Sequence, residues 1–287
     1  MLFVYIISRF IKVYITMKIY VLTAVHNDLE DTKKLLKSIF AQRFKDFELY
    51  LIDDGSVDGT THFIKQNFPK VNILKGDGNL WWTASLNLGL INILRKASDD
   101  DFVWIINNDC YFDKDILKNL LVFEKKKRSR KNIIGSVVLD PKTNKVFDNG
   151  VSIDWKNLKF RSGGTDALST KGTLYPIQVF KKVGLFDAKH FPHYFSDYDF
   201  SIRAKSCGFH LIVCPTAKIY NRIERTGIEN PSLKKFDLRN IIQIIFSKKS
   251  KVNLLLQINM IRYACPKEYK LRCTFLLFAK IIRTFRI

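Results

Sequence analysis

The residues best suited to chemistry in this chain are carboxylates and carboxamides that close apolar runs. Asn107-Asn108-Asp109 ends the run Phe102 to Ile106. A hard divalent ion such as Mg²⁺ or Mn²⁺ takes oxygen ligands and shares its coordination with substrate phosphates, so Asp109 plus a diphosphate can complete a shell. Asn107 can add a carbonyl oxygen, or bind a ribose or phosphate without metal. The same triplet is also ordinary turn chemistry at a strand end, so its reading depends on company. Asp53-Asp54 supply that company after the run Phe47 to Ile52. Neighbouring side chains diverge, so one acid is expected on a base or ribose while the other caps a helix or holds the loop. Asp54 is assigned to the nucleotide. Downstream, FSDYDFSIRAKSCGF carries Asp197 and Asp199 near a helix start. A carboxylate there can take the proton of an acceptor hydroxyl. Both acids could also serve simply as helix-start charges; Asp199, four residues before Arg203, suits that structural role and a helical ion pair more readily than Asp197.

The elements that must position these groups alternate. Lys18 to Val25 reads as a buried strand, and Phe47 to Ile52, Val71 to Leu74 and Phe102 to Ile106 as further strands. Helical spacing follows Leu29, begins again near Asp58-Gly59-Thr60, and runs from Ala84 to Leu94. Such alternation implies an α/β fold with a mostly parallel sheet covered on both faces, and ligands then bind at the carboxyl ends of the strands. The polar clusters after Val25, Ile52 and Ile106 should share one crevice. Gly135 to Gly172 mixes short strands with turn residues and is expected to shape the acceptor side; helical patterning returns at Pro176 to Val183 and Tyr198 to Cys207, with Gly208 as a C-terminal cap.

The formal charge of +21 over 287 residues points to an anionic partner: nucleotide phosphate, nucleic acid or an acidic membrane face. No helix-turn-helix, zinc or RNA-recognition signature accompanies the basic residues, which argues against nucleic acid. The five scattered cysteines form no C-x-x-C pair and fit a reducing cytoplasm. Residues 1–16 are apolar but broken by Arg9 and Lys12, too short to span a bilayer; they read either as an interfacial anchor or as a misplaced start before Met17. Residues 231–287 alternate apolar runs with lysine and arginine, the pattern of basic amphipathic helices that lie on an anionic membrane or cap the core with a solvated basic face.

In order and spacing, LTAVHND, LYLIDDGSVDGT, GNLWWTASLNLGL, WIINNDCYFDKDIL and GLFDAKHFPHYFSDYDFSIRAKSCGF resemble family-2 glycosyltransferases over roughly Met17 to Tyr220. The resemblance implies a GT-A fold, with a nucleotide-sugar half at 17–115 and an acceptor half at 116–230. It implies a nucleotide-diphosphate sugar donor, inversion, a Mg²⁺ or Mn²⁺ ion on Asp109, and Asp197 as base. It places Ala24, His26 and Asp54 on the nucleoside, and Asn79, Asn87, Asn107 and Asn108 near the donor. Two positions depart from the family pattern: Asn107 replaces the first metal-site acid, and Ser196 precedes Asp197 where a glutamate is usual. Trp81-Trp82 resembles a subgroup from bacterial surface-polysaccharide clusters that includes rhamnosyltransferases. The expected acceptor is a saccharide or lipid-linked saccharide, met by an enzyme peripheral on the inner membrane face. Nucleotidyl transfer is the rival enzymatic reading, and a basic nucleic-acid-binding protein the non-enzymatic one.

Overall fold

A computed structural model describes residues 17–127, 129–221 and 253–284. The apolar segment 1–16 and residues 231–252 of the basic stretch 231–287 lie outside the described residues.

The first half runs β1 (Ile19–Val25), α1 (Leu29–Phe40), β2 (Phe47–Asp53), α2 (Thr60–Asn67), β3 (Asn72–Lys75), α3 (Trp81–Leu94) and β4 (Phe102–Ile105). Every residue of β1 is buried. Its side chains alternate: Ile19, Val21 and Val25 join Leu35, Leu36 and Ile39 of α1 on one face, while Tyr20, Leu22 and Ala24 join Leu86, Leu90 and Ile93 of α3 on the other. A strand covered on both faces has no polar side, so its sequence is a continuous apolar run. Each fully buried aliphatic side chain contributes roughly 1.5–3 kcal/mol. Gly89 lets α3 lie close to the sheet, since a Cβ there would press on Leu22 Cδ1 and lie 2.8 Å from Ile52 Cδ1.

The second half adds β5 (Cys110–Phe112), α4 (Ile116–Lys127), β6 (Asn132–Leu139), β7 (Val146–Asp148), β8 (Val151–Asp154), β9 (Lys159–Ser162), β10 (Thr173–Pro176), α5 (Ile177–Val183), α6 (Ser196–Ser206) and β11 (His210–Asn221). The sheet order is β3-β2-β1-β4-β10-β6-β11-β5, with β7 on β6. β1, β2, β3 and β4 pair in parallel, as expected. From β10 the sheet becomes mixed, because β10 is antiparallel to both β4 and β6. A parallel neighbour needs a long crossover, usually a helix, and no helix lies between β6 and β10. β6 and β11 are parallel again, with a register shift between Cys214 and Lys218. β8 and β9 form a separate hairpin.

At the C-terminal end, α7 (Leu254–Asn259) continues through a π-helical turn, Met260–Ala264, to a short 3₁₀ turn and α8 (Lys270–Thr284). Asn253 caps α7 by accepting the Leu256 amide at 3.0 Å. Leu256, Met260 and Ala264 pack with Phe191, Tyr194, Tyr198 and Ile202. Asn259 donates to the His190 carbonyl at 2.9 Å, and the Tyr263 hydroxyl lies 3.0 Å from His190 Nε2. The described helices are therefore clamped onto the second half. No helix among the described residues is long and apolar enough to cross a membrane.

Candidate active site

Parallel pairing of β1 and β4 brings the loops at Asn27-Asp28 and Asn107-Asn108-Asp109 out on one edge. They open into a cavity of about 680 Å³ whose walls include Asp28, Trp82, Asn107, Asn108, Asp109, Asp148, Phe160, Arg161, Lys171, His193, Asp197 and Tyr198.

Asp28 reaches this cavity because it is not needed as a helix cap. The Leu29 amide at the start of α1 is accepted by Asp58 at 2.9 Å, while Asp28 accepts the Asn108 side-chain amide at 3.2 Å. Asn107 is held by the Thr170 hydroxyl at 3.2 Å. Asp109 is half-buried just before β5, and the Asn221 amide donates to its carbonyl at 3.4 Å. Burial pushes the Asp109 carboxyl above its ordinary range, against the opposing pull of Asn221 and the Lys171 ammonium.

Asp197 sits in the first turn of α6 and accepts the Tyr198 amide at 3.0 Å. The preceding Phe195 turns the corner with φ 67°, a left-handed conformation that costs a non-glycine residue roughly 1–2 kcal/mol. Burial raises Asp197 to about 6; nearby Asp148 adds to the rise and Lys171 opposes it. Burial, Asp197 and Asp148 likewise push up the Tyr198 hydroxyl. Lys171, held over the Phe147 ring at 5.0 Å, thus acts on both key acids. Asp199 instead pairs with Arg203 at 2.8 Å, as its spacing predicts.

Asn107, Asn108, Asp109 and Asp197 meet in the cavity, whereas Ala24, His26, Asp54, Asn79 and Asn87 do not line it. Asp54, expected on the nucleotide, is buried and turned into the next loop, where its two oxygens accept the amides of Gly78 at 2.8 Å and Trp81 at 3.0 Å. Asp53 also holds its loop, accepting from Ser56, Thr61 and Lys75. Asn87, expected near the donor, exchanges two hydrogen bonds with the Phe186 backbone at 2.8 and 3.1 Å. His26 binds the Asp54 carbonyl and Asn79 is exposed, both on loops next to the cavity. The pattern missed Asp28, Asp148, Arg161 and Lys171. Asp28 was visible as a polar strand end; the other three stand in a turn-rich segment with no period to mark them.

Among the described residues no group of three His, Cys, Asp or Glu side chains forms a metal cage. The oxygens present suit an ion shared with a substrate instead: the Asp109 carboxylate and the Asn107 carboxamide, both in the cavity wall.

The sequence assigns this fold and its strand-end acidic site to a family. The family model for glycosyl transferase family 2 matches residues 20–175, and the chain belongs to that family. An uncharacterized glycosyltransferase of Rickettsia prowazekii is 25% identical over 187 residues, covering 62% of this chain and 56% of that protein. The putative glycosyltransferase EpsE of Bacillus subtilis is 27% identical over 127 residues, covering 43% and 44%. The chain thus spans about half the length of these relatives. The mannosyltransferase PcManGT from Pyrobaculum calidifontis, solved with GDP-Man and Mn²⁺, superposes with a TM-score of 0.56 at 15% identity, over 74% of this chain and 59% of that one. S. aureus TarS in complex with UDP gives 0.58 at 18% identity, over 94% and 72%. The shared fold is of the GT-A type.

Proposed function

We propose that this chain moves a sugar, with inversion, from a nucleotide-diphosphate donor to a hydroxyl of a saccharide or lipid-linked saccharide. The observation that carries the reading is that Asp109 and Asp197, from different halves of the sequence, face one cavity with Lys171 acting on both. Asp197, as carboxylate, takes the proton of the acceptor hydroxyl. The acceptor oxygen then forms the new bond to the anomeric carbon, and the bond to the nucleotide diphosphate breaks with its electron pair leaving on phosphate. Mg²⁺ or Mn²⁺ held by Asp109, with Asn107 alongside, supplies charge neutralisation for that leaving group. Lys171 adds a second, metal-independent cation. Asn108 steadies Asp28 at the rim, and the nucleoside is assigned to the adjoining loops of Ala24, His26 and Asn79, with Asp54 and Asn87 shaping their supports.

The likeness to proteins solved with GDP-Man and with UDP supports a donor of this class. A rhamnosyl or hexosyl donor, a role in bacterial O-antigen or capsule synthesis, and a place on the inner face of the cytoplasmic membrane complete the proposal. A panel of nucleotide sugars with and without Mn²⁺ tests it: nucleoside diphosphate is released on transfer, whereas pyrophosphate would mark nucleotidyl transfer. Asp197→Asn should abolish transfer while keeping donor binding; preserved turnover would remove Asp197 from the base role. Asp109→Ala should weaken Mn²⁺-assisted donor binding.

A further inference from the structure

One side of α8 packs on the protein through Cys273 and Leu277, which are buried with Ile261 and Cys265. The opposite side carries Leu271, Phe275, Phe278 and Ile282, which are 85%, 72%, 52% and 70% exposed. Steps of four, three and four residues align these side chains on one stripe along the helix. A helix with an apolar outer stripe as well as an apolar inner one needs a second partner, since water gains nothing from four such side chains in a row.

Charge selects that partner. Residues 253–284 contain Arg262, Lys267, Lys270, Arg272, Lys280 and Arg283 against Glu268 alone. Arg262, Lys267, Arg272 and Lys280 are exposed. Exposed apolar side chains in a strongly basic segment match the interface of an anionic bilayer, where acyl chains lie under phosphate headgroups. A second copy of the chain would instead bring two strongly basic surfaces together.

We infer that the Leu271, Phe275, Phe278 and Ile282 stripe of α8 is a docking surface for an anionic lipid bilayer, and that it seats the acceptor wall of the cavity beside that bilayer. The second clause rests on the glycosyl-transfer reading and on a direct mechanical link. Arg272 Nε donates to the Lys156 carbonyl at 2.6 Å and Cys273 Sγ to the Trp155 carbonyl at 3.0 Å. Both carbonyls belong to the connection between β8 and β9, and β9 carries Phe160 and Arg161 into the cavity wall. The Trp155 and Phe160 rings meet edge to face at 6.0 Å, and Phe160 stacks on Tyr198, next to Asp197. The helix face and the acceptor side of the cavity are one packed unit.

The test uses the full chain and co-sedimentation with two vesicle types, pure phosphatidylcholine and an equimolar mixture with phosphatidylglycerol. The protein should sediment with the mixed vesicles, less so at high salt, and weakly with pure phosphatidylcholine. Phe275→Asp with Phe278→Asp replaces exposed side chains only, so fold, measured by circular dichroism, and transfer to a soluble saccharide should persist. Binding to mixed vesicles should drop roughly ten- to a hundredfold. Unchanged binding by the folded double variant, or no binding by the parent chain, overturns the assignment. So would dimerisation of the parent chain that the double variant abolishes, because a second copy would then own the stripe. Vesicle binding requires no sugar donor; a protein that binds vesicles but transfers nothing would sink the enzymatic reading and leave the docking surface standing.

Discussion

In the role proposed for it, Asp197 faces two demands that pull against each other: a base must be ionised to accept a proton, yet burial beside Asp148 favours its neutral form. With its ionisation near about 6, transfer rate should rise with pH through that value and level off above it. The stability consequence has the opposite slope. A carboxyl raised above its unfolded value of about 3.9 holds its proton more tightly when folded, so stability falls as pH rises from roughly 4 to 6. Asp197→Asn should therefore be more stable than the parent at neutral pH by about 1–2 kcal/mol, a gap that closes at low pH, as thermal melts across that range would register. Lys171→Met removes a cation that opposes the rise of both Asp109 and Asp197. The acid limb of the pH–rate profile should move upward, with weaker donor binding; an unmoved limb would show that Lys171 acts on neither acid in solution.

At the scale of elements, the loops after the strands are built by carboxylates that point away from the ligand. Asp54 ties the loop from Gly76 to Trp81 and so fixes the start of α3, which carries Trp82 into the cavity. Asp54→Ala leaves two amides without their acceptor and should lower stability by about 1–3 kcal/mol, read from a shifted denaturant midpoint. That contact also explains a boundary. Helical period begins at Ala84 in the sequence, but α3 starts at Trp81 because an acid 27 residues earlier accepts the Trp81 amide. Strands β1 and β4 were legible as apolar runs, and β2 as one broken by Glu48, since burial on both faces leaves a one-dimensional mark. The antiparallel β10 was not, and short strands were expected between Gly135 and Gly172 without bounds for β7 to β9, because strands of three or four residues are too short for a period to show. For the same reason the sequence marks Asp109 and Asp197 at element ends, while Lys171 becomes visible only when β10 is placed beside β4. Asp53 and Asp54 were recognisable as a pair, but which hydrogen bonds each makes depends on contacts distant in sequence.

For the whole molecule, the charge of +21 is a property the sequence states outright. The anionic donor proposed for this strongly basic protein would be drawn by a field that salt screens within about 10 Å at 0.1 M ionic strength. Donor association measured by stopped flow should therefore slow by roughly several-fold between low and high salt; a flat response would confine recognition to the cavity's own short-range contacts. The appendage helices contribute to that charge and to the second half's packing together, so their removal would alter both.

β10 has a further consequence, in the order of folding. Its four residues, Thr173–Pro176, are antiparallel to both β4 and β6 and join the two halves of the sheet. Until the chain has been synthesised past them, β4 and β6 each present an unpaired edge, and an open edge is a template for association with other chains. Closing those edges requires contacts spanning some seventy residues back to β4, the kind of non-local pairing that slows folding. The strand that joins β4 to β6 thus closes one edge of each, while the other edge of β6 waits for β11, so a newborn chain stays vulnerable to aggregation until both have arrived.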